Sequence, residues 1–225
     1  MKVLITGGSR GIGFETARLF RKNNAEVWIC GRDGETLKLA GEALGALSTV
    51  ADVGRPGDVA TLFDEVKSAW GKLDVLVNNA ADIFACPLEH MDLERVRSLY
   101  DVNVFGLMDC CRRAIPLLRS GENPSIVNVA SIGGVQGRGH FAGFSAYNPS
   151  KAAVIGITEV LSAELSEDGI RVNAVSPGRV DTEMLNRNIP KEFKPQMTAE
   201  EVAQTIWFLA TPASRPMNGR NVELF

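Results

Sequence analysis

The chain has 225 residues, 45% of them hydrophobic and 23% charged, which is enough to bury one sizeable core. Its 24 Lys+Arg stand against 27 Asp+Glu, a formal net charge of −3, so no polybasic field points to nucleic acid or an anionic membrane. The opening apolar run Val3–Ile5 is too short for a signal-peptide core, and no later run approaches the ~20 apolar residues of a membrane span.

Taken in chain order, apolar β-type runs alternate with helix-length segments. Lys2–Thr6 reads as a strand, 12–23 as a helix, Glu26–Cys30 as a strand and 34–45 as a helix. Ser48–Ala51, a helix over 57–70, Leu73–Asn78 and one long helix over 92–119 follow. Then come Ser125–Ala130, a helix over 147–167, Ile170–Ser176, a helix over 199–210, and a tail, Asn221–Phe225, that suits a last strand. Val, Ile and Leu fill the strands with little alternation, as in strands covered on both faces. Strands separated by helices predict right-handed βαβ units. The expected fold is therefore α/β: a single doubly wound Rossmann-type domain over 1–225, with a mostly parallel six- to seven-stranded sheet and helices on both faces. The stretch Asp181–Thr198, rich in Pro, Lys and Asn, reads as a surface loop or lid. On the helix 147–167, Val154, Ile157, Val160 and Leu161 are expected in the core.

The four cysteines, at 30, 86, 110 and 111, include no CxxC pair, and His90 and His140 lie fifty residues apart. The reading is reduced thiols in a cytoplasmic protein and no metal site.

Immediately after the first strand, Thr6-Gly7-Gly8-Ser9-Arg10-Gly11-Ile12-Gly13 opens a helix. Glycines there allow a tight turn, close approach to a pyrophosphate and close helix–sheet packing, and the helix N-terminus offers free N–H donors. The strand–turn–helix context supports dinucleotide binding. In such folds an acid about 20 positions on binds the ribose 2′-hydroxyl, whereas Arg accommodates a 2′-phosphate. Here the second strand ends in Gly31-Arg32-Asp33, so Arg32 and Arg10 favour NADP(H) over NAD(H). Asp33 remains an alternative ligand for the ribose hydroxyls. Asp52, in Ala51-Asp52-Val53, reads either as an adenine contact or as a loop cap. Asn78-Asn79-Ala80 ends the fourth strand with small residues that let a cofactor pass close to the backbone.

Tyr147 and Lys151 are four residues apart and share one helical face. A tyrosine ordinarily ionises near pH ~10, so acid/base work at neutrality needs that value lowered by roughly three units. An adjacent ammonium and a helix N-terminus favour the phenolate. Ser131 ends the fifth strand, at the carboxyl edge where open α/β sheets bind ligands.

With these pieces in order, the chain resembles a short-chain dehydrogenase/reductase over almost its whole length. It matches the family's TGxxxGxG turn (Thr6–Gly13), the NNA segment (Asn78–Ala80), Asn103 and Ser131. It also matches Tyr147-Asn148-Pro149-Ser150-Lys151 and the stretch from Pro177 and Gly178 through Val180 to Thr182. The resemblance implies that Tyr147 exchanges a proton with the substrate oxygen, and that Lys151 holds the nicotinamide ribose and lowers the tyrosine pKa. It implies that Ser131 hydrogen-bonds the substrate oxygen and Asn103 anchors a water linked to Lys151. The cofactor would lie against Gly7, Ser9, Arg10, Gly11, Ile12, Gly13, Arg32, Asp52, Val53, Asn79, Ala80, Pro177, Gly178, Val180 and Thr182. It also implies a homodimer or homotetramer built on the helices over 92–119 and 147–167.

The expected activity is hydride transfer between NADP(H) and a small-molecule carbonyl or alcohol. The alternative is a non-catalytic NADP(H)-binding sensor on the same fold, whose signature would be loss of Tyr or Lys; both are kept here. The segment between Ser131 and Tyr147 is about three residues longer than in many relatives, which makes His140, Phe141 and Phe144 candidates for the substrate pocket. The residues after Thr182 are few for the family's lid. Reductases of carrier-bound 3-oxoacyl groups share the glycine-turn spelling but place basic residues where this chain has Ser125 and Asp168, so steering of an acidic carrier is not supported.

Overall fold

The computed structural model of the chain describes residues 1–138, 142–188 and 195–225, without the side chains of 187 and 188. The first half alternates regularly: β1 (Lys2–Thr6), α1 (Gly11–Lys22), β2 (Glu26–Gly31), α2 (Gly34–Leu44), β3 (Leu47–Val50), α3 (Pro56–Trp70) and β4 (Val75–Asn78). After it come α4 (Leu93–Tyr100), a π-helical turn over Asp101–Gly106, α5 (Leu107–Leu118) and β5 (Ser125–Val129). The remainder is α6 (Tyr147–Glu164), β6 (Arg171–Pro177), β7 (Val180–Asp181), α7 (Glu183–Asn188), β8 (Met197–Thr198), α8 (Ala199–Ala210) and β9 (Asn221–Leu224).

Seven strands form one sheet in the order β3-β2-β1-β4-β5-β6-β9, and each neighbouring pair is parallel. The strands alternate between two apolar layers. Val3, Ile5, Val75, Val77 and Val127 face α1, α2 and α8, with Phe20 and Trp207 packed edge to face at 4.8 Å. Leu4, Leu76, Ile126 and Val172 face α3, α5 and α6. Central β4 and β5 are buried along their full length, each Val, Leu or Ile contributing about 1.5–3 kcal/mol. Such double coverage explains the unbroken apolar runs. The order reverses between β1 and β4, which places a ligand crevice above their carboxyl ends.

Three expectations change. The helix expected over 92–119 runs without interruption but widens into the π turn at its middle, where Asn103 Nδ2 donates to the Asp82 carbonyl (2.9 Å) and the Ser150 hydroxyl (3.0 Å), and its Oδ1 accepts from the Asp82 N–H (2.7 Å). Gly106 closes the turn so near the Val53 carbonyl that a Cβ would sit 2.4 Å from that oxygen. Val160 is 58% exposed rather than in the core, while Val154 is fully buried and Ile157 and Leu161 pack at the core's edge. Finally, the Asp181–Thr198 segment is more than a loop. It contains α7, and β7 and β8 pair in a second small sheet that ties its two ends together.

Candidate active site

The glycine turn is shaped by what lies against it. Gly7 has φ +66°, and a Cβ there would meet the Ala80 Cα at 2.9 Å; only glycine fits that approach without strain. Asn79 Nδ2 donates to the carbonyls of Thr6 and Gly7, both at 3.0 Å. The Thr6 hydroxyl accepts from the N–H groups of Asn79 (3.1 Å) and Ala80 (3.0 Å). These bonds bind the ends of β1 and β4 together at the switch point.

Above this junction opens a cavity of about 640 Å³. Gly7, Ser9, Arg10, Gly11 and Ile12 line it, as do Arg32, Asp52, Val53, Asn79 and Ala80. Toward β5 and β6 the wall continues with Ser131, Tyr147, Lys151, Pro177, Gly178, Val180 and Thr182. Two expected residues are absent from this wall. Gly13 is buried behind it, where a Cβ would stand 2.2 Å from the Gly7 carbonyl oxygen; it is a packing glycine that lets α1 seat against the turn. Asn103 is likewise behind the wall, 1% exposed, holding Asp82 and Ser150.

The charged residues near the turn are engaged. Arg10 Nη1 donates to Glu183 Oε2 at 2.6 Å. Asp33 caps α2 by accepting from the Thr36 N–H at 2.8 Å; hydrogen bonding to Thr36 holds its carboxyl below the usual range. Asp52 is both things the sequence allowed: it lines the cavity, and its Oδ1 caps the following turn through the Gly54 N–H at 3.0 Å. Arg32 is exposed on the cavity rim.

At the other end, Tyr147 begins α6 and Lys151 lies one turn on. The Lys151 ammonium donates to the Val129 carbonyl at 2.9 Å and lies 5.9 Å from the centre of the Tyr147 ring. Ser131 accepts from the Gly133 N–H at 3.2 Å and is hydrogen-bonded with the Tyr147 phenol. The electrostatics differ from the expectation. Burial pushes the phenol up to about 12, with Ser131 pulling the other way, and burial brings Lys151 down to about 8. In the protein alone, desolvation outweighs the hydrogen bond with Ser131. Tyr147 is therefore a protonated donor at neutral pH, beside a lysine poised to lose or gain its charge near that range.

Several cavity residues were not anticipated: Asp82, Ile83, Ile132, Asn148, Arg179, Met184 and Leu185. Each lies within three residues of a motif residue, yet only the fold shows which side chains turn inward. Phe144 joins them, edge-on to Tyr147 with ring centres 6.2 Å apart; His140 and Phe141 fall outside the described residues. Asp82 is paired with Arg95, whose guanidinium stacks 4.6 Å from the Phe84 ring centre. No group of three or more His, Cys, Asp or Glu among the described residues has the arrangement of a metal site.

Comparisons agree with this arrangement. The family model described as short chain dehydrogenase matches residues 1–192. An uncharacterized oxidoreductase of Bacillus subtilis, YxjF, is 32% identical over 98% of this chain and 95% of its own length. A short chain dehydrogenase from Burkholderia cenocepacia, solved in complex with NADP, superposes with a TM-score of 0.88 at 33% identity, covering 99% of this chain and 95% of that one. A 3-ketoacyl-(acyl-carrier-protein) reductase from Brucella melitensis, complexed with NADH, gives 0.91 at 28% identity over 99% and 95% of the two chains. With its sheet order, its crevice and relatives spanning nearly its full length in accord, this chain belongs to the short-chain dehydrogenase/reductase family and is an oxidoreductase of the hydride-transfer kind.

Proposed function

We propose that the chain reduces a small or medium, uncharged carbonyl compound, or oxidises the corresponding alcohol, with NADP(H) as cofactor and Tyr147 as acid/base. The observation that carries this reading is one continuous cavity lined both by the glycine turn with Arg10 and Arg32 and by Ser131, Tyr147 and Lys151. The residues fit a dinucleotide: a turn whose glycines admit a close ligand, two guanidiniums at the rim, and small residues at Asn79–Ala80. Bound there, the nicotinamide supplies or accepts the hydride. Tyr147 holds the proton that reaches the substrate oxygen, and its raised pKa keeps that proton in place until negative charge develops on the oxygen. Ser131 presents a second hydroxyl to the same oxygen. Lys151, already desolvated, lies 5.9 Å from the centre of the ring that must regain its proton. Ile83, Ile132, Phe144, Met184 and Leu185 give an apolar surround, which suits an uncharged substrate.

The same reading takes residues 1–225 as one domain acting in the cytoplasm as a homodimer or homotetramer. Phe105, Met108 and Val160, 60%, 48% and 58% exposed, leave apolar surface along the π turn, α5 and α6. No helix among the described residues is long and apolar enough to cross a membrane.

A panel of ketones, aldehydes and alcohols run with NADPH and NADH in parallel, followed at the nicotinamide absorbance, tests the reading. NADPH-dependent turnover is expected, and Tyr147→Phe should lower it at least about a hundredfold with cofactor affinity within about twofold. Near-wild-type turnover in Tyr147→Phe would refute the role of the tyrosine. Tight NADPH binding without turnover across the panel would favour the sensor instead.

A further inference from the structure

We infer that Glu183 is a specificity-determining residue: it holds Arg10 in an ion pair that a cofactor's 2′-phosphate has to displace. The discrimination between phosphorylated and unphosphorylated dinucleotides is thus set by a contest for one guanidinium. This deepens the proposed use of NADP(H) and rests on it.

Arg10 is the residue before α1, in extended backbone (φ −158°, ψ 169°), and its side chain takes no part in capping that helix. It reaches instead across the cavity rim to the first residue of α7, with Nη1 2.6 Å from Glu183 Oε2. Both residues line the cavity, and the two side chains are 47% and 43% exposed. The pairing is not an accident of two long side chains at the surface. Thr182, which precedes Glu183 and caps α7 through the Leu185 N–H at 3.2 Å, lies against the turn so closely that a Cβ on Gly11 would meet its methyl at 3.3 Å. The start of α7 is therefore fixed beside the glycine turn, and Glu183 is delivered to Arg10. Asp33 also feels the Arg10 charge, in addition to its hydrogen bonds from Thr36. Arg10 thus interacts with two carboxylates, one just after the end of β2 and one at the start of α7. Arg32, its neighbour on the rim, forms no ion pair among the described residues. A dianionic phosphate competes well for a guanidinium through paired, charge-assisted bonds, but here it first displaces Glu183 and then faces that carboxylate at short range. Dinucleotides lacking the 2′-phosphate leave the pair untouched.

Glu183→Gln removes the charge with little change of shape. Dissociation constants of NADP⁺, NAD⁺ and 2′,5′-ADP are measured by calorimetry for wild type, Glu183→Gln, Arg10→Ala and the double variant. We expect Glu183→Gln to tighten NADP⁺ and 2′,5′-ADP about three- to fivefold, the range of an exposed ion pair, with NAD⁺ unchanged. High salt should shrink the gain, and it should vanish in the Arg10→Ala background. Taking the ratio of NADP⁺ to NAD⁺ cancels any loosening of α7 itself. If Arg10→Ala weakens NADP⁺ selectively while Glu183→Gln leaves the ratio unchanged, the contest is refuted and the NADP(H) reading stands. If wild type binds both dinucleotides equally and Arg10→Ala shifts neither, both fall.

Discussion

Replacing Lys151 with methionine removes an ammonium while keeping most of the side chain's length and bulk. In the folded protein burial holds that ammonium's pKa at about 8, against 10.5 for an ordinary lysine. The difference makes the buried charge cost about 3 kcal/mol of stability at neutral pH. Against it stands the hydrogen bond to the Val129 carbonyl at 2.9 Å, worth about 1 kcal/mol. Lys151→Met should therefore stabilise the cofactor-free protein by about 2 kcal/mol at pH ~7, or about 4–8 °C in Tm for a chain of this size, while turnover is lost. The unfolded chain binds the proton more tightly than the folded one. Wild type accordingly recovers stability as pH rises from about 8 toward 10.5, and its gap to the variant should nearly close by pH ~9.5. Tyr147, held near 12 by burial, acts the other way above pH ~10, but equally in both proteins. Urea unfolding of both at pH ~7 and ~9.5 measures the gap. A variant less stable than wild type at neutrality, or a gap that ignores pH, would refute the claim that burial governs this lysine.

Gly13→Ala places a methyl 2.2 Å from the Gly7 carbonyl oxygen and 2.5 Å from Asn79 Nδ2. It should cost about 2 kcal/mol or more and weaken dinucleotide binding at least about tenfold, by denaturant titration and calorimetry. Gly57→Ala, where nothing lies within 4 Å of the added carbon, is the control expected to be neutral or slightly stabilising. Among the cysteines, burial raises the thiols of Cys30 and Cys111 to about 12 and that of Cys110 well above its usual value, so they should resist iodoacetamide in the native state. Mass spectrometry after brief treatment at pH ~8 should find label on Cys86 alone; native labelling of the other three would show that the core opens readily.

Much of this molecule was legible in the sequence because its strongest signals are local. Unbroken Val, Ile and Leu runs gave the strands, and the helix expected over 199–210 is α8 (Ala199–Ala210). The glycine turn, Ser131, Tyr147 and Lys151 could be placed because each sits at a strand end or a helix start. What escaped depends on contacts distant in sequence. The π turn at Asp101–Gly106 sits where Asn103 bonds to Asp82 and Ser150, 21 and 47 positions away. The upward pull on the tyrosine's pKa in the protein alone was not legible, because charge proximity is visible in a spacing of four, whereas the depth of burial is not.

The sideways amide of Asn103 has a consequence for how new substrates are met. By gripping the Asp82 backbone and the first turn of α6 together, it fixes the point from which the chain after β4 departs and the point at which Tyr147 stands. Just beyond Asp82, then, the crevice wall at Ile83 can be changed without moving the reacting groups. Substitutions at Ile83 should alter which molecules are accepted and spare the machinery that acts on them.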